Sequence, residues 1–173
     1  MIEQLITCFS YHDKTIRELA SRAIMQVAHV EKGRDYIVTH NLIPHVVKLF
    51  EDPVIKIRSN AYTTLLRLGD FLYGIDAIIE NDANVIQVLV DRLVLEQDET
   101  ILILVLKLLK TLLEGGRAQS IILTTLAHSR LNDHMSSINP EIRELAALNL
   151  GSISFNERGK EVTIKAESIP ILC

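Results

Sequence analysis

The sequence predicts an all-α solenoid of about four three-helix repeats, each close to 42 residues long. The first observation is an internal repetition at a displacement of 126 residues, three times 42. It carries three segments onto later copies: Ile16-Arg17-Glu18-Leu19-Ala20 onto Ile142-Arg143-Glu144-Leu145-Ala146, Glu31-Lys32-Gly33-Arg34 onto Glu157-Arg158-Gly159-Lys160, and Ile43-Pro44 onto Ile169-Pro170. The second observation is a set of four glycines at steps of 41, 42 and 43 residues: Gly33, Gly74, Gly116 and Gly159. The third is a composition that is 48% hydrophobic but only 5% aromatic, as expected of closely stacked helices.

We expect one continuous array over residues 1–173. Its repeats fall at approximately 1–41, 42–83, 84–125 and 126–167, with the start of a further repeat at 168–173. The outer face of a terminal repeat is normally polar, whereas the opening and closing segments here are apolar. The sequence therefore predicts that the chain is part of a longer array.

A short first helix is predicted after the glycine of each repeat, at 33–40, 74–80, 117–123 and 159–166. At the third of these positions Gly115-Gly116-Arg117 is interpreted as a helix break in which glycine takes a positive φ. It is not interpreted as a phosphate loop, since no strand precedes it and no Lys-Ser/Thr follows.

The second helix is predicted at 43–50, with counterparts at 1–9, 85–95 and roughly 128–135. Val46, Val47 and Phe50 belong to its apolar stripe. Pro44 falls in the first turn, where the missing N–H costs nothing.

The third helix is the longest, at 15–30, 54–68, 100–113 and 141–154, and its apolar residues follow the i, i+3, i+4, i+7 spacing of a buried helix face. Ala20, Ala61 and Ala146 share one phase on this helix. Because a small side chain allows close approach, this phase predicts the contact between neighbouring repeats.

The loops before the third helices supply capping residues, for which we select Asp13, Asp52 and Asn139. The third repeat is out of phase by one to three residues near 96–99, which predicts a small loop insertion. The apolar run 101–106 is also compatible with a buried strand, but a segment of about fourteen residues in a helical context favours a helix.

Arg17, Arg58 and Arg143 share one register and have two interpretations. They could form a basic ladder for a ligand. The structural alternative, which we favour, is that each reaches an acidic side chain or the carbonyl end of a helix in the adjacent repeat.

Several function classes are disfavoured. A net charge of −4 and a pI near 5.9, without clustered Lys/Arg, argue against nucleic acid. The six histidines lack zinc-ligand spacing, and no motif of a catalytic or cofactor site is present, so we predict no enzyme, metal, cofactor or small-molecule substrate. Two distant cysteines suit a reducing compartment, and no spanning or signal segment is found. We therefore expect a soluble cytoplasmic protein that does not bind membranes.

These repeats resemble the armadillo family over the whole chain: Ile-Pro opens a second helix, Asp/Asn-x-x-Ile-Arg opens a third, and Ala follows at the contact. The resemblance implies a right-handed superhelical solenoid that binds proteins. More narrowly, the chain resembles the radial spoke head 14 family, on 98–113 with its Ile-Leu-Ile-Leu run, 141–143, 159–160 and 168–172. That resemblance implies a non-enzymatic scaffold in the radial spoke of the ciliary or flagellar axoneme, with axonemal proteins as partners.

Importin-type armadillo receptors, by contrast, bind basic peptides along a ladder of Trp and Asn on the third helices. The matching positions here contain neither residue: Arg22, Gln26, Thr63, Arg67, Leu148 and Ser152. These six are the candidate partner-binding groove, and import cargo is disfavoured. Arg22 and Arg67 suit an acidic partner segment, although they may equally be solvated groove residues. The alternative function is a soluble adaptor that binds an extended peptide of a signalling or trafficking partner.

Overall fold

A computed structural model of the protein describes residues 2–81, 84–155 and 157–165. Every regular element in these ranges is helical, which confirms the predicted all-α class. The chain forms two compact units, residues 1–85 and 86–173. The first unit contains α1 (Ile2–Phe9), α2 (Lys14–Val27), α3 (Glu31–Thr39), α4 (Ile43–Lys48) with a 3₁₀ turn (Leu49–Glu51), α5 (Ile55–Leu68) and α6 (Leu72–Glu80). The second contains α7 (Val85–Leu95), α8 (Glu99–Leu113), α9 (Gly116–Ile122), α10 (Ala127–His134), α11 (Pro140–Ile153) and α12 (Glu157–Lys165).

The predicted helices agree with these elements within three residues at every boundary. Helices α2, α5, α8 and α11 are the third helices of the repeats, and α3, α6, α9 and α12 are the first. The segment 101–106 lies inside α8, so the strand alternative was wrong. The predicted repeat boundaries stay predictions, and the expected further repeat at 168–173 lies outside the described residues.

Two of the three predicted caps are confirmed. Asp13 accepts from the Thr15 backbone N–H at 2.7 Å, a hydrogen bond that lowers the pKa of the carboxyl group, and Asn139 accepts from Glu141 at 3.0 Å. The choice of Asp52 was wrong, because the N-cap of α5 is Val54. Asp52 instead turns the loop by accepting from the Val54 N–H at 2.9 Å.

The N-caps of the third helices confirm the loop insertion. They are Asp13, Val54, Asp98 and Asn139, so the step is 41 residues at both ends of the series but 44 in the middle. The extra residues precede Asp98. They follow α7, which is longer than α4, its counterpart in the previous repeat.

Three of the four periodic glycines mark a close backbone approach. A Cβ built on Gly33, Gly74 or Gly159 would lie 1.8–1.9 Å from the carbonyl oxygen six residues earlier, at the end of the preceding third helix. Gly116 differs, because a Cβ there meets nothing within 4 Å. Counted from the helix start, the equivalent position in α9 is the buried Ala118.

The predicted positive φ at the Gly115-Gly116 break was wrong. Gly115 is the N-cap of α9 in an extended conformation, and no described glycine has a positive φ. Asn41 and Asn84 have positive φ instead, each shortly before a second helix. Asparagine is among the few residues with a side chain that adopt this conformation readily.

The core of each unit lies between its third helices. In the first unit α2 packs on α5, and in the second α8 packs on α11. Ala20, Ala61 and Ala146 are all buried, with at most 4% of their surface exposed. Next to this contact, the rings of Phe50 and Tyr62 stack at 3.8 Å.

Replacing Ala61 with leucine should lower the free energy of unfolding by about 1–3 kcal/mol, since the side chain is fully buried and added methylenes overpack the α2–α5 contact. Lys56→Ala, on the exposed side of the same helix, should change it by less than about 0.5 kcal/mol. Urea unfolding of both variants measures the difference. An unchanged midpoint for Ala61→Leu would show that the assigned helix phase is wrong.

Candidate functional site

The six predicted groove residues occupy two fixed positions on the third helices, nine and thirteen residues after the N-cap. Arg22 and Gln26 lie on α2, and Thr63 and Arg67 lie on α5, all in the first unit. Leu148 and Ser152 lie on α11 in the second unit.

Sequence analysis missed the matching pair on α8. Counting from the N-cap Asp98 places Lys107 and Thr111 at these positions. The signal that could have found them was the aspartate before the helix. The Ile-Arg pair used to align the other repeats is missing in this one.

The exposed faces of α2 and α5 form one surface, which we call the α2–α5 face. Arg22 is exposed, and its Nη2 lies 3.0 Å from the Glu18 carboxylate. Such an exposed pair contributes well under about 1 kcal/mol, so Arg22 can exchange Glu18 for another acceptor at little cost. Gln26, one turn further along, is exposed.

Arg67 is held in place by the neighbouring repeat. Its Nη1 donates to the Met25 carbonyl at 2.5 Å, in the last turn of α2. That carbonyl lies where the helix leaves backbone acceptors without intrahelical partners. Because it carries no net charge, the bond fixes the guanidinium without neutralising it.

The α2–α5 face is cationic. Thr63 donates to the Ser59 carbonyl at 2.8 Å, and the exposed Lys56 lies two turns before Thr63 on the same side of α5. Along these lines of the two helices, three cations (Arg22, Lys56 and Arg67) accompany one carboxylate (Glu18).

The equivalent face of the second unit is less charged. Leu148 is 43% exposed, and Ser152 donates to the Leu148 carbonyl at 3.0 Å. Lys107 Nζ lies 2.8 Å from the Glu141 carboxylate, so this cation is paired across α8 and α11. This face presents an apolar side chain beside a compensated ion pair.

The three arginines in one register bind groups within the protein. Arg17 forms a two-pronged contact with Asp52, at 2.6 and 3.3 Å, which raises the pKa of the guanidinium. It also donates to two carbonyls in the loop before α2. Arg58 donates to the Asp52 carbonyl, and Arg143 donates to two carbonyls of the loop before α11. These bonds agree with the favoured structural interpretation, although the bonds from Arg58 and Arg143 reach their own preceding loops.

Buried polar contacts between repeats were also missed. Asn60 Nδ2 donates to Ser21 Oγ at 3.0 Å between α5 and α2. Asn149 Nδ2 donates to the Leu106 carbonyl at 3.0 Å between α11 and α8. An unmatched buried amide costs roughly 1–3 kcal/mol, so these bonds favour one register of the stacked helices.

His128 should make the protein less stable in mild acid. Its Nε2 lies 3.1 Å from Thr163 Oγ1, and burial lowers the pKa of the ring below its ordinary value. Unfolded histidine titrates near about 6.5, so the contribution is complete above that pH and is lost as pH falls through the folded pKa. One proton allows a slope of at most about 1.4 kcal/mol per pH unit.

Urea unfolding between pH 7.5 and 5 measures this slope. His128→Gln should reduce it, whereas His29→Gln, at an exposed position, should leave it unchanged. Equal slopes in the His128→Gln variant and the unmodified protein would contradict the assignment.

Two further kinds of site were searched for in the described ranges. No group of three or more His, Cys, Asp and Glu side chains there could hold a metal ion. None of the helices in those ranges combines the length and apolar character needed to span a bilayer.

No family model and none of the curated proteins matches the sequence. Solved structures do match. A designed armadillo repeat protein in complex with the peptide (KR)4 is 17% identical, with a TM-score of 0.86 over 98% of this chain and 71% of that one. An engineered protein is 21% identical, with a TM-score of 0.84 over 99% and 70% of the two chains. A structure from work on the phosphorylation switch between cadherin and beta-catenin has a TM-score of 0.81 at 17% identity, over 99% of this chain and 34% of that one. These likenesses show that the chain has the armadillo-type α-solenoid fold.

Proposed function

We propose that this chain is a non-enzymatic scaffold that binds other proteins, and that its α2–α5 face holds an extended acidic segment. The observation that carries the proposal is the cationic character of that face. Arg67 is fixed by the Met25 carbonyl but keeps its charge, and Arg22 has only an exposed carboxylate as partner. A pre-positioned cation loses little side-chain freedom when an acidic partner binds.

The comparison with the peptide-bound neighbour supports the sign of the partner's charge. That designed protein is in complex with (KR)4, a peptide of alternating lysine and arginine. Here the corresponding third-helix positions include Arg22 and Arg67, which repel such a peptide. Guanidinium groups pair well with carboxylates in a two-pronged geometry.

A fluorescence anisotropy titration tests this proposal. A labelled peptide of alternating aspartate and glutamate should bind, with an affinity that falls as salt rises, and (KR)4 should not. The double variant Arg22→Glu with Arg67→Glu should weaken acidic-peptide binding at least about tenfold. Lys32→Glu, an exposed position on α3, is the matched control and should bind as the unmodified protein does. Equal binding of both peptides would contradict the proposal.

The more specific proposal is a place in the radial spoke of the ciliary or flagellar axoneme, within the cytoplasm and with axonemal proteins as partners. It is supported by the sequence resemblance to the radial spoke head 14 family alone. The alternative is a soluble adaptor for a signalling or trafficking partner, which the α2–α5 face supports equally. Detergent extraction of motile cilia separates the two: retention with the axoneme supports the spoke, and release into the soluble fraction supports the adaptor.

A further inference from the structure

A hollow of about 400 Å³ lies between α11 and α12, and its lining is mostly apolar. Its walls are Ala147, Leu150, Gly151, Ser154, Thr163 and Ile164, with Lys160 at the rim. Ile164 is 61% exposed. The hydroxyls of Ser154 and Thr163 satisfy each other at 2.5 Å, and Thr163 also contacts His128. With these hydroxyls paired, the hollow suits an apolar surface.

The 126-residue repetition identifies the same place in the first unit. Ala147, Gly151 and Ser154 correspond to Ser21, Met25 and Ala28 of α2. There the place is occupied: α5 packs on α2, and Ser21 and Ala28 are fully buried. Asn60 donates to Ser21, and Arg67 donates to the Met25 carbonyl. The hollow is therefore shaped to receive a third helix.

Helix α2 carries an exposed surface of the matching kind. Leu19 is 54% exposed and Ala23 is exposed. One repeat later, their counterparts on α5 are Asn60 and Thr64, which are 2% and 0% exposed. The outer side of α2 thus corresponds to the side of α5 that packs against a preceding repeat.

We propose that α2 of one molecule docks in the hollow between α11 and α12 of a second molecule, so that copies of this chain associate head to tail. The two surfaces repeat the chemistry of a junction inside the protein. In the first unit the paired positions are both polar, Ser21 and Asn60. In the second unit the corresponding positions are both apolar, the buried Leu106 and Leu145. Between two copies they are Ala147 and Leu19, again both apolar.

Two further residues fit the same junction. Gln26 is the counterpart of Arg67, and its amide can donate to the Gly151 carbonyl as Arg67 donates to Met25. Gly151 has open space where a side chain would project, which leaves room for the entering helix. The contact is heterologous, so it produces chains of increasing length instead of a closed dimer.

Sedimentation velocity of the full chain over a wide concentration range tests the proposal. The average mass should rise with concentration. Leu19→Glu damages only the entering surface and Gly151→Arg blocks only the hollow, and each position is exposed enough for the fold to persist, as circular dichroism will check. Each variant alone should associate at least about tenfold more weakly. Ile138→Glu, at a loop position that is 96% exposed and outside both surfaces, should associate normally.

Mixing the two variants gives the decisive result. The Leu19→Glu protein keeps an intact hollow, and the Gly151→Arg protein keeps an intact α2 surface. Their mixture should therefore form a one-to-one dimer that does not grow further. A chain that stays monomeric at every concentration, or a mixture that remains monomeric, would overturn the proposal. Association that persists in both single variants would overturn it as well. None of these outcomes depends on peptide binding by Arg22 and Arg67.

Discussion

Replacing Gly74 with alanine will lower the free energy of unfolding by at least about 3 kcal/mol, the largest effect expected of any single methyl group in this protein. The added Cβ would lie 1.9 Å from the Leu68 carbonyl oxygen, and 2.8 Å from its carbon. Both atoms belong to the backbone at the end of α5, so no side chain can rotate away. Relief requires α6 to move off α5, and overpacking that displaces backbone exceeds the usual cost of about 1–3 kcal/mol.

Gly116→Ala is the matched control, since a Cβ there meets nothing within 4 Å. At the start of α9, alanine should leave stability unchanged or raise it by up to about 1 kcal/mol. Urea unfolding monitored by circular dichroism measures both variants. Gly33→Ala and Gly159→Ala should behave like Gly74→Ala. A Gly74→Ala protein as stable as the Gly116→Ala protein would show that the close approach is not tight.

Removing the Arg17 guanidinium is expected to cost about 2–3 kcal/mol. Arg17→Met keeps the aliphatic bulk but leaves the Asp52 carboxylate without its two-pronged partner. The side chains of the pair are only 14% and 7% exposed. Breaking a fully buried pair costs about 3–5 kcal/mol, and the remaining exposure reduces that figure through solvent screening.

Arg143→Met tests whether the partner or the register causes the loss. Arg143 holds the same position in α11 but is exposed and binds only neutral carbonyls in the contacts described above. Its replacement should cost less than about 1 kcal/mol. The double change Arg17→Met with Asp52→Asn should recover part of the stability lost in Arg17→Met. Equal losses at Arg17 and Arg143 would show that Asp52 contributes nothing.

Local order was readable from the sequence. Helix boundaries follow from apolar spacing and from capping residues, both of which act within a few neighbouring residues. Asp13 and Asn139 therefore cap the helices they precede in sequence. The buried phase of Ala20, Ala61 and Ala146 was readable for the same reason, because three copies of one pattern identify the side that must face another repeat.

Contacts between residues about 40 positions apart were decided only by the tertiary structure. Nothing local distinguishes Asn60, which is buried against Ser21, from an exposed asparagine, and nothing local shows that Arg67 will reach the Met25 carbonyl. Gly116 shares the glycine period but not the close approach, because the insertion before Asp98 shifts the third repeat by a few residues. Periodicity by itself determined the repeats and their helices. The position of each side chain between repeats depends on how two helices pack, which no single segment encodes.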